Sequence, residues 1–556
     1  MFFGENHLKN TDIVSDIIVI LGNLLGVKTA MSSIVPCKVG KHTYLYESES
    51  YRNEEGKVRN RRKCVGKVDP VTGQHIYKPE YIKEKKLHMT TEAAANTEVY
   101  SVMDVKHSVV KEYGVFYLLD EISKKIGLTD ILIETMPSLY KDILSLAFYI
   151  VSTGEPAMYC EDWLNKSESY SEKVLSSQRI SDLMMNITND ERMNFYERWG
   201  EYRCEKEYVA LDITSISTYS ELINYAEWGY NRDGEKLPQI NVCMLMGEKS
   251  RLPILQVVYS GSISDVSTLI TTIETASGLN LDNMTLVMDK GFSKAENINY
   301  MLHNGNQFLI ALPFTFALAK NQVKREVDSI DCAENTIVIG NDVLRGVSNT
   351  QPWDDEHDVY VHSIFNPIVG THVRNKLFAE VYDLISKVEQ DPEKYRSNAL
   401  AKKYLTIRKS KKASKGYSIK IKNKAIENKL LTKGWLILIS SHIDNAPESL
   451  NLYRNKDVVE KGFWRMKTCL DLARLRVHSD EVMQNKIFIG FIALILTAHI
   501  NNVMADNQLY RSWTMKKMFK ILERLKVHYI KNDRIFSPLS KDHKRIFDAF
   551  DIKFHL

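Results

Sequence analysis

The chain has few of the residues that break or staple structure. Only 13 prolines and 25 glycines occur in 556 residues, which leaves little room for long unstructured linkers. The seven cysteines, Cys37, Cys64, Cys160, Cys204, Cys243, Cys332 and Cys469, are scattered, odd in number and without a CxxC pair. They fit reduced thiols in a cytoplasm and argue against a zinc module, as do 15 histidines that do not cluster at zinc-ligand spacing. No large excess of either charge is present: the net charge is +4, so local clusters carry more information than the total. The longest apolar run, IFIGFIALILTA from Ile487, is short of the roughly 20 residues of a membrane crossing and reads as a buried helix. Near the N-terminus, DIVSDIIVILGNLLG could mimic a signal peptide, but Asp16 interrupts it and no basic run precedes it, so secretion is not expected. There is no GxxxxGK[ST] loop, since GEKS from Gly247 lacks the Gly-Lys pair, and neither GxSxG nor HExxH occurs. Phosphate-loop ATP chemistry is not indicated, and those two hydrolase classes fare worse as readings.

The length exceeds what one core normally holds, so roughly three or four structural units are expected. Residues 1–30 read as a leader, with Met31 as an alternative start. Residues 31–85 read as a basic β module with a hairpin turning at NEEGK. Lys57, Arg59, Arg61, Arg62, Lys63 and Lys67 crowd its second half with no acid among them, which suits either a solvated strand face or contact with DNA phosphates. Residues 100–205 read as a helical domain; within it SSQRISDLMMNI opens with serines suited to N-capping, in a helix-turn-helix or in plain helical packing.

After Tyr208 the period changes to that of strands: YVALDITSIS, QINVCMLMG and LPILQVVYSG, then helix SDVSTLITTIETASG, strand MTLVMDKGF, helix SKAENINYMLHNG and strand QFLIALP. Three antiparallel strands followed by αβαβ is the order of the ribonuclease-H-like fold, a mixed sheet flanked by helices in a multidomain α/β chain. We assign its first part to 206–317, a β-rich insertion to 318–436, its second part to 437–510 and a basic helical tail to 511–556. Within the insertion, Lys402 to Lys433 holds twelve Lys or Arg, Lys411 and Lys412 among them, against one acid, Glu427. The tail's Trp513, Met515, Met518, Phe519, Ile521, Leu522 and Leu525 form an apolar face that suits packing, dimerisation or DNA contact.

Three acids end or follow apolar runs: Asp212 in YVALDITSIS, Asp289 in MTLVMDKGF and Glu460 in YRNKDVVEKGFWRMK. Carboxylates from separate elements are the ligands magnesium prefers, and two such cations about 4 Å apart can cut a phosphodiester. Tyr453, Glu460 and Lys467 recur every seven residues, two helical turns, so they are expected on roughly one helix face. There Lys467 would hold a phosphate, and Tyr453 would hydrogen-bond another or stack on a base; heptad spacing on a solvated helix is the alternative.

The spacing of Tyr453, Lys456, Glu460 and Lys467 resembles the Y-R-E-K signature of bacterial insertion-sequence transposases of the DDE class. The resemblance covers most of the chain from Met31, with one departure: lysine stands at position 456 where the signature has arginine, losing bidentate phosphate geometry. It implies that Asp212, Asp289 and Glu460 bind two Mg2+, replaceable by Mn2+, and that Tyr453, Lys456 and Lys467 contact DNA. It further implies binding and cleavage of double-stranded DNA at inverted-repeat ends, joining of the 3′ hydroxyls to target DNA, and a synaptic homodimer. The expected setting is the bacterial cytoplasm, at the nucleoid and away from membranes. Trp435 resembles aromatics that stack on a flipped base, and it also fits the core of strand GWLILISS. Two other readings fit: a related nuclease without strand transfer, and a domesticated DNA-binding protein without catalysis.

Overall fold

The computed structural model describes residues 33–40, 42–52, 58–68, 75–81, 107–203, 208–281, 284–410 and 416–554. The leader, the NEEGK turn, Lys57, Lys411 and Lys412 lie outside the described residues. The chain divides into two compact units, one of residues 1–111 with 525–541 and residue 556, the other of residues 112–524 with 542–555.

In the first unit, β1 (Ser33–Val39), β2 (His42–Arg52), β3 (Val58–Val68) and β4 (His75–Tyr77) form an antiparallel four-stranded meander. Arg59, Arg61, Arg62 and Lys63 all lie exposed on β3. Strand alternation divides them, with Arg59, Arg61 and Lys63 on one face and Arg62 on the other. The register also sets Glu47 opposite Lys63 and Glu49 opposite Arg61. The run that lacks acids along the chain therefore meets them across the ladder. A second sheet of three strands joins β5 (Val109–Glu112) to two late strands, Lys526–Ile530 and Asp533–Phe536. The tail expected to be helical thus contains a hairpin between its helices Met515–Leu522 and Lys541–Ala549. The β-branched and aromatic residues of KVHYI favour this, ending the helical apolar face that runs from Trp513 to Leu525.

The second unit begins with six α-helices between Gly114 and Tyr202. Ser176 caps one of them by accepting a hydrogen bond from the Arg179 backbone N–H, as its sequence suggests. The chain then builds a ten-stranded mixed sheet from β6 (Tyr208–Thr218), β7 (Gln239–Gly247), β8 (Pro253–Ser260), β9 (Thr285–Met288), β10 (Gln307–Leu312), β11 (Thr336–Ile339), β12 (Asp342–Pro352), β13 (Asp358–Phe365), β16 (Trp435–Ser440) and β17 (Arg474–Leu475). Its order is β11-β12-β13-β16-β10-β9-β6-β7-β8, with β17 pairing β6. β6, β7 and β8 are antiparallel, while β9 and β10 run parallel to β6, each reached through a helix.

Residues 318–436, expected to be β-rich, are mixed. β11 to β13 extend the main sheet through β16, and the 24-residue helix Pro367–Gln390 follows. Asn366 caps this helix and proline enters its first turn. Leu377, Val381, Leu384 and Val388 recur at helical spacing and close a separate core with Ala401, Tyr404, Leu405 and Ile426. Beyond helix Pro367–Gln390, β14 (Leu405–Lys409) and β15 (Tyr417–Ile421) make a two-stranded hairpin. Its cations include exposed Lys402, Lys403, Lys420 and Lys424.

The apolar run from Ile487 belongs to the helix Asp480–Asp506, which packs against helices Tyr140–Thr153 and Ser177–Asn186 and against β8. By length and composition it could cross a membrane, yet 78% of its apolar window is buried inside the protein, the condition of a core helix. Its fully buried Asn485 donates to the carbonyls of Met184 and Ile187 and accepts from Arg192, so the end of another helix is satisfied from within this one.

Candidate active site

Asp212 lies within β6 and Asp289 directly follows β9. The parallel register pairs Leu211 with Met288, so the next step along both strands sets the two aspartates side by side. Neighbouring strands are about 4.8 Å apart, close enough for one cation to be shared. Asp212 is paired in register with Met244, and Met246 lies two residues further along β7 on the same face.

The helix Asp457–Cys469 packs across β6 and β7. Its contact residue is Gly462, where a Cβ would fall 2.4 Å from the Met246 Sδ and 3.9 Å from the Met244 Sδ. The absence of a side chain lets the helix lie close on the Asp212 face, bringing Glu460 with it. Glu460 itself is exposed, at 62% of its side-chain area.

The expected single face for Tyr453, Glu460 and Lys467 is interrupted. One helix ends at Asn455, the next starts at Asp457, and Lys456 forms the joint. Tyr453 therefore approaches from the first helix, and its hydroxyl donates to Asp289 Oδ1 at 2.7 Å. Burial, then the charge and hydrogen bond of Asp289, hold the Tyr453 phenol well above its ordinary pKa, with Glu460 and Asp212 adding to the effect. The tyrosine thus senses all three acids.

Lys456 is buried, at 6% exposure, with its ammonium 3.1 Å from Glu460 Oε1 and 6.0 Å from the centre of the Tyr453 ring. Arg454, two residues earlier, is engaged elsewhere, 2.9 Å from Asp342. Burial raises the Asp212 carboxyl above the usual range; the Ile213 N–H, Lys456 and Arg232 work against that, and Asp289 adds to it. A half-buried carboxyl beside a second acid suits a site that takes up cations. The donor set of oxygen atoms alone fits magnesium or manganese.

Lys467 pairs with Asp233 at 2.5 Å, an acid on the β6–β7 connection. That connection also exposes Tyr219, Trp228 and Tyr230, the last at 84%. Trp464, one turn beyond Glu460, is exposed as well. Sequence reasoning missed Asp233, Tyr230 and Trp464; the signal available was Trp464 at the fourth residue after an acid proposed to bind metal. Trp435 lies on β16, its ring 5.1 Å from that of Phe365 and lining a cavity of about 900 Å³ beside helix Pro367–Gln390.

The family described as Transposase DDE domain matches residues 203–496, slightly more than half of the chain. No curated protein matches it. Among solved structures, the chain is similar to a piggyBac transposase in a cryo-EM synaptic complex with hairpin DNA, at 9% identity and a TM-score of 0.34, covering 73% of this chain and 70% of that one.

Proposed function

The chain belongs to the DDE transposases, and from that premise we propose that it cleaves DNA at the inverted-repeat ends of an insertion sequence and joins the 3′ hydroxyls to target DNA. The observation that carries this is the adjacency of Asp212 and Asp289 across β6 and β9, with a helix laid on the same face bearing Glu460. The strand order β8-β7-β6-β9-β10 supports a ribonuclease-H-like core.

Asp212, Asp289 and Glu460 would hold two divalent cations, Mg2+ or Mn2+; when bound, these activate the attacking oxygen and stabilise the leaving one. Tyr453 fixes the orientation of the Asp289 carboxylate. Lys456 supplies a cation among the acids, so the ion-free site is not left with unopposed negative charge. Its ammonium lies 6.0 Å from the centre of the Tyr453 ring, and lysine there keeps the charge of the signature's arginine without its bidentate fork. Lys467 would exchange Asp233 for a DNA phosphate, and Trp464 and Tyr230 would stack on unpaired bases. The exposed cations on β3 and around the β14–β15 hairpin would carry further phosphate contacts.

The test uses purified protein, Mg2+ and a labelled inverted-repeat end, with Asp289→Asn alongside. Cleavage and strand joining by the native chain, with loss of both in the variant, are expected. Equal cleavage by the variant sinks the assignment; cleavage without joining selects the nuclease reading. DNA binding with no Mg2+-dependent cutting selects the non-catalytic one.

A further inference from the structure

Away from the three acids, the fold brings together two histidines that the sequence keeps 54 residues apart. His303 ends the helix Ala295–His303, and His357 lies in the turn joining β12 to β13 beside Glu356. The imidazole rings are 4.7 Å apart, and one donor atom from each of His303, Glu356 and His357 lies within 4.8 Å of the others.

Their hydrogen bonds set the tautomers. His303 Nδ1 is 2.8 Å from the Asn299 carbonyl, and His357 Nδ1 is 3.0 Å from Asp354 Oδ1. Both partners only accept, so each Nδ1 carries the proton and each Nε2 keeps its lone pair. A carboxylate or carbonyl behind Nδ1 is the arrangement that orients a metal-binding imidazole.

The juxtaposition is built rather than incidental. Trp353 Nε1 donates to Asn299 Oδ1 at 2.6 Å, so Asn299 anchors the hairpin tip with its side chain and His303 with its carbonyl. Asp354 Oδ1 accepts from the backbone N–H of Glu356 and of His357, at 2.9 and 2.7 Å, which shapes the turn that presents both residues.

We propose that His303, His357 and Glu356 form a second metal site, for Zn2+ or a similar late first-row divalent ion, that clips the β12–β13 hairpin to the helix following Asp289. Two imidazoles and one carboxylate are a zinc donor set, with water in the fourth position. Tetrahedral zinc sets nitrogen donors about 3.3 Å apart, so rotation of the exposed His303 and Glu356 side chains toward the half-buried His357 would close the remaining gap. The site differs from the three-acid cluster in donor chemistry, since nitrogen ligands favour zinc over magnesium.

The full-length chain would be stripped with chelator, supplied with Zn2+ in excess Mg2+ and dialysed, and bound zinc counted by mass spectrometry. About one zinc per chain is expected in the native protein and in Asp289→Asn. His303→Gln and His357→Gln should lose it, and X-ray absorption on the native protein should show nitrogen ligands. Asp354→Asn keeps the oxygen that accepts the turn's N–H groups but not the charge behind His357, and should weaken zinc binding about 10–100-fold. Native-level zinc in the histidine variants, when circular dichroism shows them folded, overturns the proposal, as does zinc lost only in Asp289→Asn. If a histidine variant misfolds, Asp354→Asn decides, and unchanged affinity there counts against the site.

Discussion

Replacing Gly462 with alanine perturbs the seating of the Glu460 helix through a single methyl group. The added Cβ would stand 2.4 Å from the Met246 Sδ, against an ordinary contact of about 3.5–4.0 Å, so over about 1 Å must be recovered. Met246 is fully buried on β7, so its thioether has no solvent to swing into. Two effects on stability oppose each other. Alanine gains about 1 kcal/mol over glycine in a helix interior, while overpacking a tight core costs about 1–3 kcal/mol. The net loss is therefore up to about 2 kcal/mol, measured by denaturant unfolding. Activity is the sharper readout, because Glu460 is two residues away and moves with the helix; about 1 Å of misplacement costs about 100-fold in rate. Strand cleavage under single-turnover conditions would measure it. Adding Met246→Ala should give less than additive destabilisation, since the second change opens the space the first one needs. A Gly462→Ala protein as stable as the native one, and cleaving within about twofold of it, would refute the close approach.

Asp233→Asn should release Lys467 from its ion pair; binding to a labelled end should tighten, and the slope of log affinity against log salt should steepen by up to about 0.9, one further phosphate contact. An unchanged slope in a titration between low and moderate salt would remove Lys467 from the DNA surface. His362, fully buried on β13 with Nδ1 2.8 Å from Ser348 Oγ, has its pKa pushed down to about 4 by burial. It is neutral in the fold and takes up a proton on unfolding near its ordinary value, so its contribution is fully present above about pH 6.5 and is lost as pH falls through about 4. The change is about 3 kcal/mol across that window. His362→Leu should flatten the pH dependence of unfolding by about one proton, and equal slopes in the two proteins would contradict the assignment.

The two aspartates stand out in the sequence because each is an acid against an apolar run, Asp212 partway along β6 and Asp289 just past β9, and strand alternation is a local property of the chain. The alternation from Tyr208 to Leu312 also corresponds closely to the strands and helices found there. The joint at Lys456 was not legible: no glycine or proline marks it, and YRNKDVVEKGFWRMK keeps helical spacing through it. Only the packing of the flanking helices on the sheet separates Tyr453 from the face of Glu460. Pairings across strands or between loops escaped for a related reason. Glu47 opposite Lys63, Asp233 against Lys467 and His303 beside His357 are contacts of the folded chain that no single window contains. In the tail, the cations of the helix Met515–Leu522 run on into KVHYI, and the change to strand is carried by β-branched residues over a few positions.

The path of the chain through β16 before the Glu460 helix also fixes an order of synthesis. A ribosome that has released β9 has delivered Asp212 and Asp289, and about 170 residues must follow before Glu460 emerges. The helix Asp480–Asp506, which fills the core against helices made hundreds of residues earlier, comes later still. An early stop anywhere in that interval yields a product with the basic N-terminal strands and two of the three acids. Such a product carries neither Glu460 nor the helix that closes the core, so it holds an incomplete acid set on an unfinished fold.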